Sequence, residues 1–156
     1  MPIPEGYHSV TPYLTVDDAA AAIEFYRKAF GAQELLRLPM SDGNGGEKLG
    51  HAEVKIGDSP LMLSDEWPGM GVLGPKARGG ASASFLIYVP DVDHAFQCAI
   101  DAGASAEQQP TDQFWGDRMG TVTDPFGHKW MLATHVQDVP PDELPARMAA
   151  WARQQD

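Results

Sequence analysis

His51 and Glu53, two residues apart, are the first candidates for chemistry. An imidazole and a carboxylate on one strand face can act as a general base with its orienting group, or supply two ligands to a metal ion. The same pair also fits a plainer role as polar side chains on the wet side of a half-buried strand. A second concentration is Trp115, Asp117 and Arg118. There a guanidinium could fork onto a carboxylate or phosphate, and an indole could stack on a ring or a cation. The structural alternative is an internal Asp–Arg pair with the tryptophan covering a junction between modules. Trp67, in a Gly- and Pro-rich stretch, could close over a ligand or pack in a dimer contact. His128 and His135 flank one strand, and together with His51 their spacing matches no compact metal motif. His8 and His94 read as surface residues, and the single cysteine, Cys98, as a buried small hydrophobe.

The elements that position these residues follow from period and turn chemistry. Residues 115–135 predict a strand, a tight turn at Asp124-Pro125-Phe126-Gly127 and a second strand. Near the start, residues 10–16 alternate as a strand with Pro12 at an edge. Asp17 or Asp18 then opens a helix that Gly31 ends, with an apolar stripe of Ala22, Ile23, Tyr26, Ala29 and Phe30. A strand near residues 33–38 and a polar turn precede a strand over 49–56, where Ala52, Val54 and Ile56 oppose His51, Glu53 and Lys55. A short strand over 61–64 closes the set. Residues 66–82 predict a linker or flap without regular structure.

The pattern then restarts with a strand over 84–89 and a helix opened by Asp91 and ended by Gly103. A Gln-rich approach loop, with Pro110, leads to the hairpin. Val16-x-Asp18 with Phe30-Gly31-Ala32, and Val89-x-Asp91 with Ala102-Gly103-Ala104, are two copies of one device. They predict an α+β fold of two βαβββ modules. The expected boundaries are one domain over 1–138, with module one at about 8–65, the linker at 66–82 and module two at about 83–138. Residues 139–156 predict an appended helix with Met148 and Trp151 on one face.

Composition supports one compact unit: 156 residues with 43% apolar content can bury a real core. Acidic residues outnumber basic ones 22 to 11, a net charge of −11 that argues against nucleic-acid and membrane partners. Such charge attracts a cationic ligand or simply keeps the protein in solution. The start, MPIPEGYHSV, lacks the basic and apolar regions of a signal peptide, so a cytoplasmic protein is expected.

The paired segments VTPYLTVDDAAAAIEFYRKAFGA and FLIYVPDVDHAFQCAIDAGA resemble the repeats of the vicinal oxygen chelate superfamily, which includes glyoxalase I, extradiol dioxygenases and bleomycin-resistance proteins. The stretch QFWGDRMGTVTDPFGHKWMLATH is similar to its PhnB-like subgroup. The resemblance implies a curled mixed sheet around a cup, helices on the outer face, and a homodimer. Thr11, Tyr13, His51, Glu53, Ser64, Ser84 and Tyr88 would then face the cup. It also implies that the metal ligands of the family's enzymes correspond here to Thr11, Met62, Ser84 and Met131, none of them a carboxylate or imidazole. The expectation is therefore a binder of a small aromatic or cationic molecule without the usual metal centre, using Tyr13, Trp67, Tyr88, Trp115, Asp117 and Arg118. The alternative is a lyase or isomerase of glyoxalase type that uses a divalent metal in a non-standard site with His51 and Glu53.

Overall fold

The structure is a computed structural model that describes residues 2–155. Residues 1 and 156, the outermost positions of the expected domain and its extension, lie outside that range. The first module runs β1 (Tyr13–Val16), α1 (Ala19–Phe30), β2 (Gln33–Ser41), β3 (Glu47–Ile56) and β4 (Ser59–Asp65). After a short α2 (Pro75–Arg78), the second runs β5 (Ser84–Tyr88), α3 (Val92–Ala102), β6 (Ser105–Asp112), β7 (Asp117–Thr123) and β8 (Lys129–His135). A last helix, α4 (Leu144–Ala152), follows.

Each module forms one four-stranded mixed sheet with the same topology, β1-β4-β3-β2 and β5-β8-β7-β6. β1 pairs parallel to β4, and β5 parallel to β8. The repeat read from the sequence is thus a repeat of topology as well as of pattern.

The helices start and stop where side chains satisfy their ends. Asp18 accepts from the Ala21 N–H at 3.0 Å, and Asp91 accepts from the His94 N–H at 3.1 Å, each relieving a donor that has no partner within the helix. Gly31 at φ 66° and Gly103 at φ 119° end them in the left-handed region, where side chains crowd the backbone. α1 and α3 lie beside each other behind the sheets. Tyr26 and Phe30 of α1 pack on Trp130 of the other module's β8, with ring centroids 5.3 and 4.9 Å apart. One continuous core, from Leu14 and Val16 through Tyr26 to Val122, Trp130 and Leu132, spans both modules.

Several segments depart from the sequence reading. The approach loop expected before the hairpin is largely strand β6, with Pro110 tolerated because β6 is an edge strand and its register shifts there. β7 begins at Asp117, so Trp115 lies in the preceding turn. β1 begins at Tyr13 rather than Val10, although the Pro12 carbonyl still accepts from the Met62 N–H at 2.9 Å. Residues 66–82 are not featureless: they hold a 3-10 turn at Pro68–Met70 and α2, each with proline near its start, where the missing N–H is harmless. Cys98 is half-buried rather than buried, its sulfur 3.5 Å from His94 Nε2. α4 packs through Trp151 on Phe114, at 5.9 Å between centroids, while Met148 stays exposed. No helix among the described residues is long and apolar enough to cross a membrane.

Candidate functional site

Strand alternation sorts the side chains of both sheets. Leu61 and Leu63 of β4, and Trp130 and Leu132 of β8, are buried toward the helices. Met62 and Met131 therefore face the opposite, helix-free side, here called the cup face. The strand pairings build two equivalent rows on it. In the first sheet Met62 stands between Tyr13 and Glu53, and in the second Met131 stands between Leu86 and Thr121.

No hydrogen-bond ladder among the described residues joins β1 to β5, and the seam between them is open. A cleft of about 730 Å³ runs along it, bordered by Ser84, Leu86 and Tyr88 of the cup face and by Leu61, Ile87 and Trp130 from the helix side. A second, of about 250 Å³, is bordered by Tyr13, Thr15, Leu73, Phe85 and His128. Tyr13, Leu86 and Tyr88 are exposed by 52%, 39% and 63% on this face, unusual values for large side chains within strands.

The first row carries a connected polar chain. The Tyr13 hydroxyl is 2.8 Å from His51 Nδ1, and His51 Nε2 is 3.0 Å from Glu53 Oε1. The other oxygen of Glu53 accepts from the Tyr7 hydroxyl. His51 thus bridges the Tyr13 phenol on one side and the Glu53 carboxylate, to which Nε2 donates, on the other. Hydrogen bonds from His51 and Tyr7 hold the Glu53 carboxyl below the usual carboxylate range. The same contact pushes the Tyr7 phenol up to about 12. His51 and Glu53 are thus joined as the sequence allowed, and Tyr13 extends the chain to the surface. Tyr7 was not a candidate: it arrives from the segment ahead of β1, 46 residues from Glu53, and no local pattern marks it.

The second module holds a different cluster. Asp117, 3% exposed, accepts from the Tyr88 hydroxyl at 3.0 Å, Trp115 Nε1 at 3.1 Å and His135 Nδ1 at 2.8 Å. His135 Nε2 is 2.8 Å from Asp138, and the two carboxylates, Asp138 foremost, raise the imidazole's pKa. The hydrogen bond to Asp117 likewise raises that of Tyr88.

Arg118 does not belong to this cluster. Its guanidinium forks onto Asp93 of α3 at 2.8 and 2.9 Å and reaches Asp112 at 3.2 Å. Successive strand residues point to opposite faces, so Asp117 and Arg118 separate: in place of the proposed Trp115–Asp117–Arg118 clamp and the alternative Asp117–Arg118 pair, Trp115 bonds Asp117 from the preceding turn and Arg118 bonds Asp93 on the other face. Trp67 lies beneath Lys48, whose ammonium is 5.8 Å from the ring centre, and its buried Nε1 has no partner among the described residues. His128 is taken up by the seam, with Nε2 2.9 Å from the Thr15 carbonyl, so His51, His128 and His135 serve three separate contacts. Ser64, expected to line the cup, is buried and donates to the Asp65 carbonyl.

The positions implied for a metal hold two hydroxyls, Thr11 and Ser84, and two thioethers, Met62 and Met131. Neutral hydroxyls and soft sulfur do not fit a hard divalent ion, which takes carboxylate or imidazole. Among the described residues no group of three or more His, Cys, Asp and Glu side chains is placed to hold one.

Comparison with known proteins gives these features a setting. An uncharacterised protein of Mycobacterium bovis is 45% identical over 145 residues, covering 91% of this chain and 93% of its own length. Among solved structures, TioX from Micromonospora sp. ML1 superposes with a TM-score of 0.62 at 27% identity, covering 83% of this chain and 99% of that one. A PhnB protein from Bacillus cereus shares the fold at a TM-score of 0.62 and 17% identity, covering 81% and 99%. The sequence profile of one superfamily spans residues 6–132, from Gly6, just ahead of the tyrosine that locks Glu53, to the buried Leu132 of β8. With the duplicated βαβββ topology, this match shows that the chain belongs to the Glyoxalase/Bleomycin resistance protein/Dioxygenase superfamily.

Proposed function

We propose that the cup face binds a small, neutral, partly aromatic molecule along the β1–β5 seam, without a metal ion. The observation that carries this reading is the exposure of Tyr13, Leu86 and Tyr88 beside clefts of about 730 and 250 Å³. Ligand sites favour such junctions, where apolar walls surround a few placed polar groups. A cationic ligand is less well served than composition suggests, because Glu53 and Asp117 already accept from the protein's own donors. The hydroxyl and thioether set at the family's metal positions supports a metal-free site.

Within the superfamily we favour the PhnB-like subgroup, on the QFWGDRMGTVTDPFGHKWMLATH stretch. We also favour a homodimer, because Leu35, Leu36, Leu38 and Met40 of β2 are all exposed. A cytoplasmic setting agrees with a sequence whose single cysteine allows no internal disulfide.

A thermal-shift screen of neutral aromatic compounds tests the binding reading, since a ligand selective for the folded state raises the apparent melting temperature. Tyr13→Ala and Tyr88→Ala should each weaken a hit about tenfold, the equivalent of about 1.4 kcal/mol. A hit whose affinity ignores both substitutions binds elsewhere and ends the reading.

A further inference from the structure

We propose that a cleft on the helix side of the second module binds a small monocarboxylate with an apolar tail, its carboxylate held by Lys28. The cleft lies between the C-terminal end of α1, helix α3 and strand β5, and it is separate from the cup face.

The cleft, of about 370 Å³, follows from a difference between the two modules. Aligned on their capping aspartates, Asp18 and Asp91, the helices match Phe25 of α1 with Cys98 of α3 and Tyr26 with Ala99. Two aromatic rings in the first module thus correspond to a thiol and a methyl group in the second, and the position of Phe30 falls on Gly103. The strand beneath is correspondingly less covered. Leu14 pairs with Leu63 and Ile87 with Leu132, so Ile87 is the counterpart of Leu14, and Val89 that of Val16. Leu14 and Val16 are 2% and 0% exposed, whereas Ile87 and Val89 are only half-buried. Both line the cleft, together with Phe30, Leu132 and Cys98. Close-packed interiors leave few such gaps, and a concave hollow with apolar walls is the common form of a small-molecule site.

The chemistry of the occupant follows from the walls and the mouth. The walls offer no buried side-chain donor or acceptor in need of a partner: among the described residues that condition is met by Trp67 Nε1, which is not in this cleft. A polar body would lose its hydrogen bonds to water there without replacement, so the enclosed part of the occupant is apolar. The mouth is charged. Arg27 and Lys28 stand in the last turn of α1, and Arg27 is matched by Glu24 at 3.1 Å. Asp91 is engaged at the start of α3, where it accepts from the His94 N–H at 3.1 Å. His94 Nε2 in turn lies 3.5 Å from the Cys98 sulfur. Of the charges at this mouth, Lys28 is the one with no side-chain partner among the described residues. A single carboxylate complements it. The net charge of −11 does not forbid such a ligand, because at physiological ionic strength salt screens charges more than about 8 Å away.

Octanoate is the probe, octanol its uncharged control, and Cys98 the reporter. Cys98 is the single cysteine, half-buried on the cleft wall, so its labelling by N-ethylmaleimide can be followed by mass spectrometry. Saturating octanoate should slow that labelling about fivefold or more, and the concentration dependence gives the dissociation constant. Lys28→Glu should raise the constant for octanoate about tenfold and leave that for octanol within about twofold. The substitution is at an exposed position, and circular dichroism checks that the fold is kept. Lys129→Glu makes the same change in net charge outside the cleft and should alter neither ligand. Labelling that octanoate does not slow below its micelle threshold, equal weakening of both ligands in Lys28→Glu, or equal weakening of octanoate in Lys129→Glu would each overturn the proposal. Ile87 also borders the larger seam cleft, so both variants are placed away from it. None of these outcomes bears on the cup reading, which is tested through Tyr13 and Tyr88.

Discussion

His135 links the second cluster to the segment leading into α4, and its charge should be visible in stability. Asp138 and Asp117 favour the imidazolium in the folded state, so the folded pKa lies above the ordinary value of 6.5. The resulting stabilisation is complete below about pH 6.5 and is lost as pH rises through the folded value. The side chain is 52% exposed, so solvent and salt screen the effect. The denaturation midpoint of the wild type should exceed that of His135→Gln by more at about pH 5.5 than at about pH 8.5. A gap that is constant or widens with pH would contradict the assignment. Sequence spacing reveals only part of this chemistry. His51 and Glu53 were legible because a period of two places them on one face. The same rule separates Asp117 from Arg118 once the strand is known to start at Asp117, whereas Trp115 reaches Asp117 from the preceding turn. Tyr7 left no local signal, since it meets Glu53 across 46 residues, and Asp138, although only three residues from His135, lies past the end of β8 where no period applies.

At the scale of elements, the match between sequence and structure depends on what positions each segment. α1 and α3 were legible end to end because local chemistry fixes them: an aspartate cap, an apolar stripe and a left-handed glycine. β6 was obscured because SAEQQPTD is polar on both faces, and its place is set by pairing with β7 rather than by an apolar side. That pairing carries a tight approach. A Cβ added at Gly120 of β7 would stand 2.8 Å from Phe96 Cδ2 of α3, 3.1 Å from Pro110 Cγ and 3.2 Å from the Gln108 carbonyl of β6. Gly120 is therefore the point where helix, central strand and edge strand close together. Gly120→Ala should destabilise the fold by about 1–3 kcal/mol through overpacking. Urea titration checks this, and an unchanged midpoint would mean that β6 moves aside freely.

For the whole molecule, one carboxylate ties the modules together. Asp124, 4% exposed, accepts from the Phe126 and His128 N–H groups at 2.9 Å each, shaping the turn of the second module. Its other oxygen accepts from Trp130 Nε1 at 2.9 Å and from the Tyr26 hydroxyl of α1 at 2.7 Å. Burial first, and then Asp124, raise the Tyr26 pKa well above its ordinary value, so the phenol remains a donor. Tyr26→Phe removes the inter-module donor from a buried charge and should cost about 1–3 kcal/mol. Because the core is continuous, the variant should still unfold in one transition, with circular dichroism and tryptophan fluorescence coincident. Two separated transitions would show that the modules are stable units on their own. The duplicated architecture was legible from the Val-x-Asp and Gly-Ala signatures. The joint was not: Tyr26 read as one residue of an apolar stripe and Asp124 as a turn former, with 98 residues between them.

The backbone repeats itself across the seam, but the side chains do not. One end of the cup face presents an exposed phenol backed by an imidazole, and the other a carboxylate already saturated with donors. A molecule with two identical halves, laid across the seam, would meet different chemistry at each end. Groups that a two-fold axis makes equivalent in free solution would become distinguishable when bound, and their shared resonance would split in two. The protein would then tell one end from the other in a ligand whose ends are identical, a capacity that two identical modules would lack and that only their divergence supplies.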